Sequence, residues 1–158
     1  MGGVDAICTG KSGTLTRGDM KVMAFYTQSK VHKNFKKNSF LNCGLDSVII
    51  DAIKECILWC CESRVEVDTH AYYRPVGNAT ECALIYFLQQ NEITVHDLIR
   101  KKRGRIETMI PFNSELKRML VAVRHPDDED LVRVFVKGAP EIVVRLCEKT
   151  IEEDGRIV

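Results

Sequence analysis

Between Ile49 and Cys60 the apolar residues Ile49, Ile50, Ile53, Cys56, Ile57 and Cys60 recur at three- to four-residue spacing. That spacing places them on one face of a helix. It predicts a helix over residues 47–62, with Asp46 or Ser47 as its N-cap. A second helical pattern (Ala83, Leu84, Phe87, Leu88) follows Asn78, a favoured N-cap residue, and Glu81 stands at the capping-box offset. A short helix is expected around residues 95–101, ending in the basic run Arg100-Lys101-Lys102-Arg103-Gly104-Arg105. That run reads as a solvated face and connector.

The period changes after residue 104. Residues 105–110, 118–124 and 131–137 read as three strands, with His-Pro-Asp-Asp-Glu-Asp at 125–130 as the turn between the last two. Gly138-Ala139-Pro140-Glu141 then opens a helix, since proline suits a first turn and glutamate there favours the helix dipole. Upstream, residues 4–9 and 21–26 read as strands, 27–44 as a polar loop, and the stretch before Asn78 as a turn. The expected class is α+β: an antiparallel β-sheet flanked by helices.

Totals narrow this reading. The chain has 158 residues, 45% of them hydrophobic, with a net charge of +1, ordinary for a globular domain. Overall charge gives no case for a nucleic-acid partner. No apolar run approaches the roughly 20 residues of a membrane span, and the first residues lack the basic and apolar regions of a secretion signal. The seven cysteines fall mostly in apolar segments. They suit reduced thiols better than a disulfide framework. Cys56 and Cys60 are one helical turn apart, but no Cys/His pair with zinc spacing follows, so no metal site is expected.

The stretch Ile7-Cys8-Thr9-Gly10-Lys11-Ser12-Gly13-Thr14-Leu15-Thr16 carries a candidate chemistry. Gly10-Lys11-Ser12 suggests a Walker loop, whose backbone N–H groups wrap phosphate ahead of a helix. The first glycine of that motif should fall at residue 5, where Asp5 stands, and Leu15-Thr16-Arg17-Gly18 looks like more loop. The segment better resembles the phosphorylation motif of P-type ion-pumping ATPases, Asp-Lys-Thr-Gly-Thr-Leu-Thr. Three further segments match that family in order. Val76-Gly77-Asn78-Ala79-Thr80-Glu81-Cys82-Ala83-Leu84 resembles its Gly-x-x-Thr-Glu-x-Ala-Leu element. Residues Pro111-Phe112-Asn113-Ser114-Glu115-Leu116-Lys117-Arg118-Met119 resemble its Pro-Phe-x-Ser-x-x-Lys-x-Met element. Lys137-Gly138-Ala139-Pro140-Glu141 reproduces its Lys-Gly-Ala-Pro-Glu. The wording of these elements is most similar to calcium pumps of the plasma-membrane type.

The resemblance implies residues 1–20 as the first strand and hinge of a phosphorylation domain. It implies residues 21–158 as a nucleotide-binding domain, C-terminally truncated. The implied ligand is ATP (Mg-ATP in the intact pump). The other implied partners are the remaining phosphorylation, actuator and transmembrane domains of a membrane-embedded translocase and hydrolase. The chain itself would be soluble at the cytosolic face.

Phe112 would stack on adenine; its alternative is a core phenylalanine beside a strand. Lys137 would meet base or phosphate; otherwise it is a strand-end lysine with its ammonium in water. Lys117 would lie on the phosphate side or simply face solvent. Glu81 would accept from the adenine amino group, cap its own helix, or both. With Gly138 these residues would line one cleft.

The chain departs from the family where catalysis begins. Gly10 stands at the position of the phosphorylated aspartate, and glycine offers no carboxylate to form an acyl-phosphate. Ser12 replaces threonine, and Gly18 replaces the usual asparagine. The later magnesium-holding aspartate motif has no counterpart before Val158. The expectation is binding of ATP without turnover. Two rivals are a Walker NTPase using Gly10-Lys11-Ser12 and a non-catalytic interaction module that holds a protein through its basic run.

Overall fold

Asp46 caps the first helix: its Oδ1 accepts from the Val48 N–H at 2.8 Å. The helix, α1, runs Ser47–Trp59. The structure is a computed structural model that describes residues 3–11, 13–27, 30–33, 39–67, 69–70, 72–95, 105–125, 128, 130–152 and 154–158. The expected helix over 95–101 lies outside the described residues beyond Val95.

α1 stops three residues before the expected Glu62, and it buries more than one stripe. Ile49, Ile50, Leu58 and Trp59 are buried within it, although Leu58 and Trp59 lie off the stripe read from periodicity. The reason is that α1 separates two cores. On one side Ile50 and Leu58 pack with Phe40, Ile85, Phe87, Leu88 and Val95. On the other, Trp59 and Cys60 pack with Met119, Val121, Val123 and Phe135. Burying each large side chain contributes about 1.5–3 kcal/mol.

The first core belongs to α2 (Ala79–Gln90), whose N-cap Asn78 accepts from Thr80 N and Glu81 N through its side chain. At its far end Asn91, buried, accepts from Phe40 N at 2.9 Å and donates to Phe87 O at 2.8 Å. Both polar ends of its amide are thereby satisfied, as burial demands. Phe40 meets Phe87 edge-on, with ring centroids 5.1 Å apart.

The second core lies under a three-stranded antiparallel sheet of β5 (Ile106–Asn113), β6 (Arg118–Arg124) and β7 (Val132–Gly138), in the order β5-β6-β7. Met119, Val121 and Val123 of β6 turn inward at 0–2% exposure. The alternate residues face outward, where Ile110, Val132 and Val134 are exposed. This meander is the part of the fold the alternation anticipated most closely. After β7 come a single helical turn, α3 (Pro140–Val143), and a 3-10 turn at Val144–Leu146.

Two hairpins were not anticipated. β1 (Ala24–Thr27) pairs with β2 (Lys30–Lys33), so the expected loop over 27–44 contains a strand. Its cross-strand pair Phe25 and His32 stack at 4.6 Å. β3 (Arg64–Val67) pairs with β4 (Tyr73–Val76) where only a turn was expected. Conversely, the strand expected at residues 4–9 does not form. Those residues are exposed and no strand among the described residues pairs with them; a single strand has no ladder to stabilise it. The architecture is α+β, with antiparallel sheets and helices, as expected.

Candidate functional site

The ends of β3, β4, β5 and β7 and the start of α2 meet around a cleft of about 610 Å3. It is lined by Glu62, Ser63, Gly77, Asn78, Thr80, Glu81, Phe112, Lys137 and Gly138. That volume falls within the roughly 300–1,000 Å3 typical of small-molecule sites. Four residues expected from the sequence therefore come together: Glu81, Phe112, Lys137 and Gly138.

Glu81 is the hub. Its carboxylate is buried, with the side chain 8% exposed, and Lys137 Nζ donates to Oε1 at 2.6 Å. Oε2 accepts from Ser63 Oγ at 2.7 Å, Ser63 N at 2.8 Å and Glu62 N at 3.1 Å. The Cys61 thiol lies on the same oxygen at 3.7 Å. Burial pushes the carboxyl up, but the hydrogen bonds from Lys137 and Ser63 outweigh it, so Glu81 titrates below the ordinary glutamate range.

The capping-box expectation for Glu81 is corrected in one arm. Asn78 Oδ1 does accept from Thr80 N at 2.9 Å and Glu81 N at 3.4 Å. The reciprocal bond from Asn78 N–H to the glutamate is replaced. Asn78 N donates to Ser63 Oγ at 3.0 Å, and that hydroxyl donates onward to Glu81. A serine hydroxyl is thus inserted into the capping box. The early end of α1 follows from the same network, because the Glu62 and Ser63 amides are turned toward the carboxylate rather than back along the helix.

Gly77 makes this insertion possible. Its φ is 146°, and a Cβ there would overlap Ser63 Oγ and Cβ. Gly138 has a related role, since a Cβ would lie 2.8 Å from Arg118 Cα and 2.5 Å from the Lys117 carbonyl oxygen. Its lack of a side chain lets the end of β7 close against β6.

Phe112 is 57% exposed and lines the cleft near the end of β5. Its face is therefore open to a visitor, and the alternative of a core phenylalanine is ruled out. Lys117 is not among the cleft-lining residues. It ends the turn from β5 to β6 with φ 50°, its N donating to Asn113 O at 2.7 Å, and its side chain is exposed. Ser63 was missed by sequence reasoning; nothing in Cys61-Glu62-Ser63-Arg64 marks it, and only the approach of β3 to the start of α2 reveals it.

The Gly10 segment lies apart as an exposed turn. Leu15 N and Thr16 N donate to Lys11 O at 3.0 and 3.2 Å. The first helix after it among the described residues is α1, so the helix a Walker loop must enter is not there. Among the described residues no group of three or more His, Cys, Asp or Glu side chains is arranged to hold a metal ion. Nor is any helix among them long and apolar enough to cross a membrane.

The cleft thus brings together one open aromatic face, one buried acid and one cation. A family profile described as P-type ATPase, cytoplasmic domain N, matches residues 49–158. The chain belongs to that family. It is 31% identical over 160 residues to a putative plasma-membrane-type calcium-transporting ATPase 11 of Arabidopsis thaliana, covering all of this chain and 15% of that protein. It is 30% identical to plasma membrane calcium-transporting ATPase 1 of Gallus gallus, over 98% of this chain and 13% of that protein. It is 31% identical to plasma membrane calcium-transporting ATPase 3 of Homo sapiens, over 99% of this chain and 13% of that protein. The chain thus spans about one seventh of the length of these relatives.

Proposed function

We propose that this chain is the ATP-holding part of a P-type calcium-transporting ATPase, and that the cleft around Phe112 receives the nucleotide. The observation that carries this reading is the exposed Phe112 ring standing beside the buried Glu81–Lys137 pair in one cleft. Adenine lies on the ring, a contact worth roughly 1–3 kcal/mol for a stacked base. Lys137 uses one of its ammonium hydrogens on Glu81 and keeps two for the ligand. Glu81 Oε1, carrying only the lysine bond, accepts from the adenine amino group. Lys117, on the turn at the end of the Phe112 strand, reaches toward the phosphates. Gly138 keeps the cleft wall thin at the strand end.

Residues 1–20 correspond in this reading to the first strand and hinge of the phosphorylation domain, and 21–158 to the nucleotide-binding domain. In the parent pump the nucleotide domain presents the γ-phosphate of Mg-ATP to an aspartate, with actuator and transmembrane domains coupling the transfer to calcium movement. Gly10 stands where that aspartate belongs, and without a carboxylate no acyl-phosphate forms there. The chain therefore binds ATP and does not turn it over. Magnesium matters little to this binding, because its protein ligands belong to the phosphorylation domain.

Titration of ATP against the amide spectrum tests the proposal. Binding with Kd on the order of 0.1–1 mM, or about 4–5.5 kcal/mol, is expected, with shifts centred on Phe112 and Lys137. Phe112→Ala weakens it about tenfold, and Lys11→Ala leaves it unchanged. Silence at Phe112 and Lys137 at several millimolar ATP removes the proposal; collapse on Lys11→Ala favours a Walker site instead.

A further inference from the structure

The inner face of β7 carries Arg133, Phe135 and Lys137 in alternation. Lys137 stands in the nucleotide cleft, and Arg133 stands four residues away, roughly 13 Å along the strand. There a separate niche of about 200 Å3 opens, and Arg105, Arg124, His125 and Arg133 all line it. Its floor is Trp59, stacked beside Phe135 at 6.3 Å. The niche is smaller than the roughly 300 Å3 lower bound for organic ligands, so it suits one compact group.

Among its described lining residues three guanidiniums stand with the one carboxylate of Glu55. Arg133 pairs with Glu55 at 2.7 Å and Arg124 pairs with Glu107, all four side chains being 38–52% exposed. Arg105 has no carboxylate partner among the described residues. It is half-buried, lies over the Trp59 ring at 5.8 Å, and donates one hydrogen bond, to the Arg124 carbonyl oxygen at 3.1 Å. A guanidinium has five N–H donors in a planar fork. With the indole 5.8 Å away, Arg105 has most of that fork unused by carboxylates among the described residues. The flanking ion pairs are solvent-exposed and therefore weak, so a dianion can recruit a second guanidinium without disrupting the core.

We propose that this niche is an anion site, distinct from the nucleotide cleft, that takes a single phosphate group, with Arg105 as its principal ligand. Planar bidentate donation to phosphate oxygens is the chemistry to which guanidinium is matched. Free inorganic phosphate and the headgroup of a phosphoinositide both offer that group. The site depends on no feature of the Phe112 cleft, so it stands or falls separately from the ATP reading.

Trp59 is the chain's one tryptophan, so its emission reports the niche directly. The full chain is titrated at constant ionic strength with inorganic phosphate, with chloride as control. A parallel arm uses phosphatidylcholine vesicles with and without a phosphoinositide. The expected result is a saturable change in emission with phosphate and none with chloride. It should weaken about tenfold in Arg105→Gln, as for loss of one charge-assisted hydrogen bond, and be partly restored in Arg105→Lys. The amide spectrum of Arg105→Gln without any ligand should keep the dispersion of the native chain, which establishes that this variant is folded. A response to phosphoinositide vesicles alone, equally sensitive to Arg105→Gln, supports the site with the headgroup as its source. Flat emission in both arms, an equal response to chloride, or a response undiminished in Arg105→Gln overturns the proposal.

Discussion

Two ion pairs sit on the same face of β7 and differ in almost nothing but their surroundings. Arg133 meets Glu55 at 2.7 Å, and Lys137 meets Glu81 at 2.6 Å. The first pair is 52% and 42% exposed; the second is 25% and 8% exposed. Distance alone would make them equivalent. Water makes them different: the exposed pair is screened and exchanges freely with solvent, contributing about 0–1 kcal/mol. The buried pair is held by further donors from Glu62 and Ser63. Removing one partner there leaves a charge uncompensated in a partly buried place. A contact of the same length thus serves as a surface decoration at one end of the strand and as the keystone of the cleft at the other.

The largest expected effect breaks the inner pair. Glu81→Ala should lower unfolding free energy by about 3–5 kcal/mol in urea titration, because it orphans Lys137 and the donors of Glu62 and Ser63. Next, Ser63→Ala should cost about 1–3 kcal/mol by stranding the Asn78 N–H. It should also raise the Glu81 titration point in carboxyl NMR, since one of the donors that hold it down is gone.

Acid should reveal the same difference between the pairs. Glu81 is depressed in the folded state, so its stabilisation is complete above the ordinary glutamate pKa. It is lost as pH falls through the depressed folded value. Urea midpoints followed from neutral pH into that acidic range should fall for the native chain and fall less steeply for Glu81→Gln. The smallest effect belongs to the outer pair: Glu55→Gln should cost at most about 1 kcal/mol, and less in high salt. If Glu55→Gln proved as costly as Glu81→Ala, burial would not be what separates the two pairs.

Much of the scaffold could be read from pattern because its elements are long and periodic. α1, α2 and the β5–β7 meander each bury a repeating face, and local spacing reports that directly. The short hairpins were hidden for physical reasons. Lys30–Lys33 is polar at both ends, and Tyr73–Val76 carries Pro75, which argues against a strand; both form because a partner strand lies opposite. Residues 4–9 erred in the other direction, being apolar enough for a strand yet lacking a neighbour to pair with among the described residues. Glu81, Phe112, Lys137 and Gly138 could be named from motifs, and the family resemblance implied their common cleft; local spacing alone does not bring together residues so far apart in the chain. Ser63 left no trace in the sequence, because its role exists only once β3 is brought against the start of α2. The burial of Trp59 was likewise invisible, since it answers to a sheet that begins some fifty residues later.

The outward side of the β5–β7 sheet has a practical consequence. Ile110, Val132 and Val134 face solvent there, and β5 and β7 form its two borders. Such a greasy plate with open rims promotes sticking between molecules as samples are concentrated. Replacing Val134 with lysine would place a charge on its β7 border while sparing both interior clusters, giving a better-behaved preparation for spectroscopy.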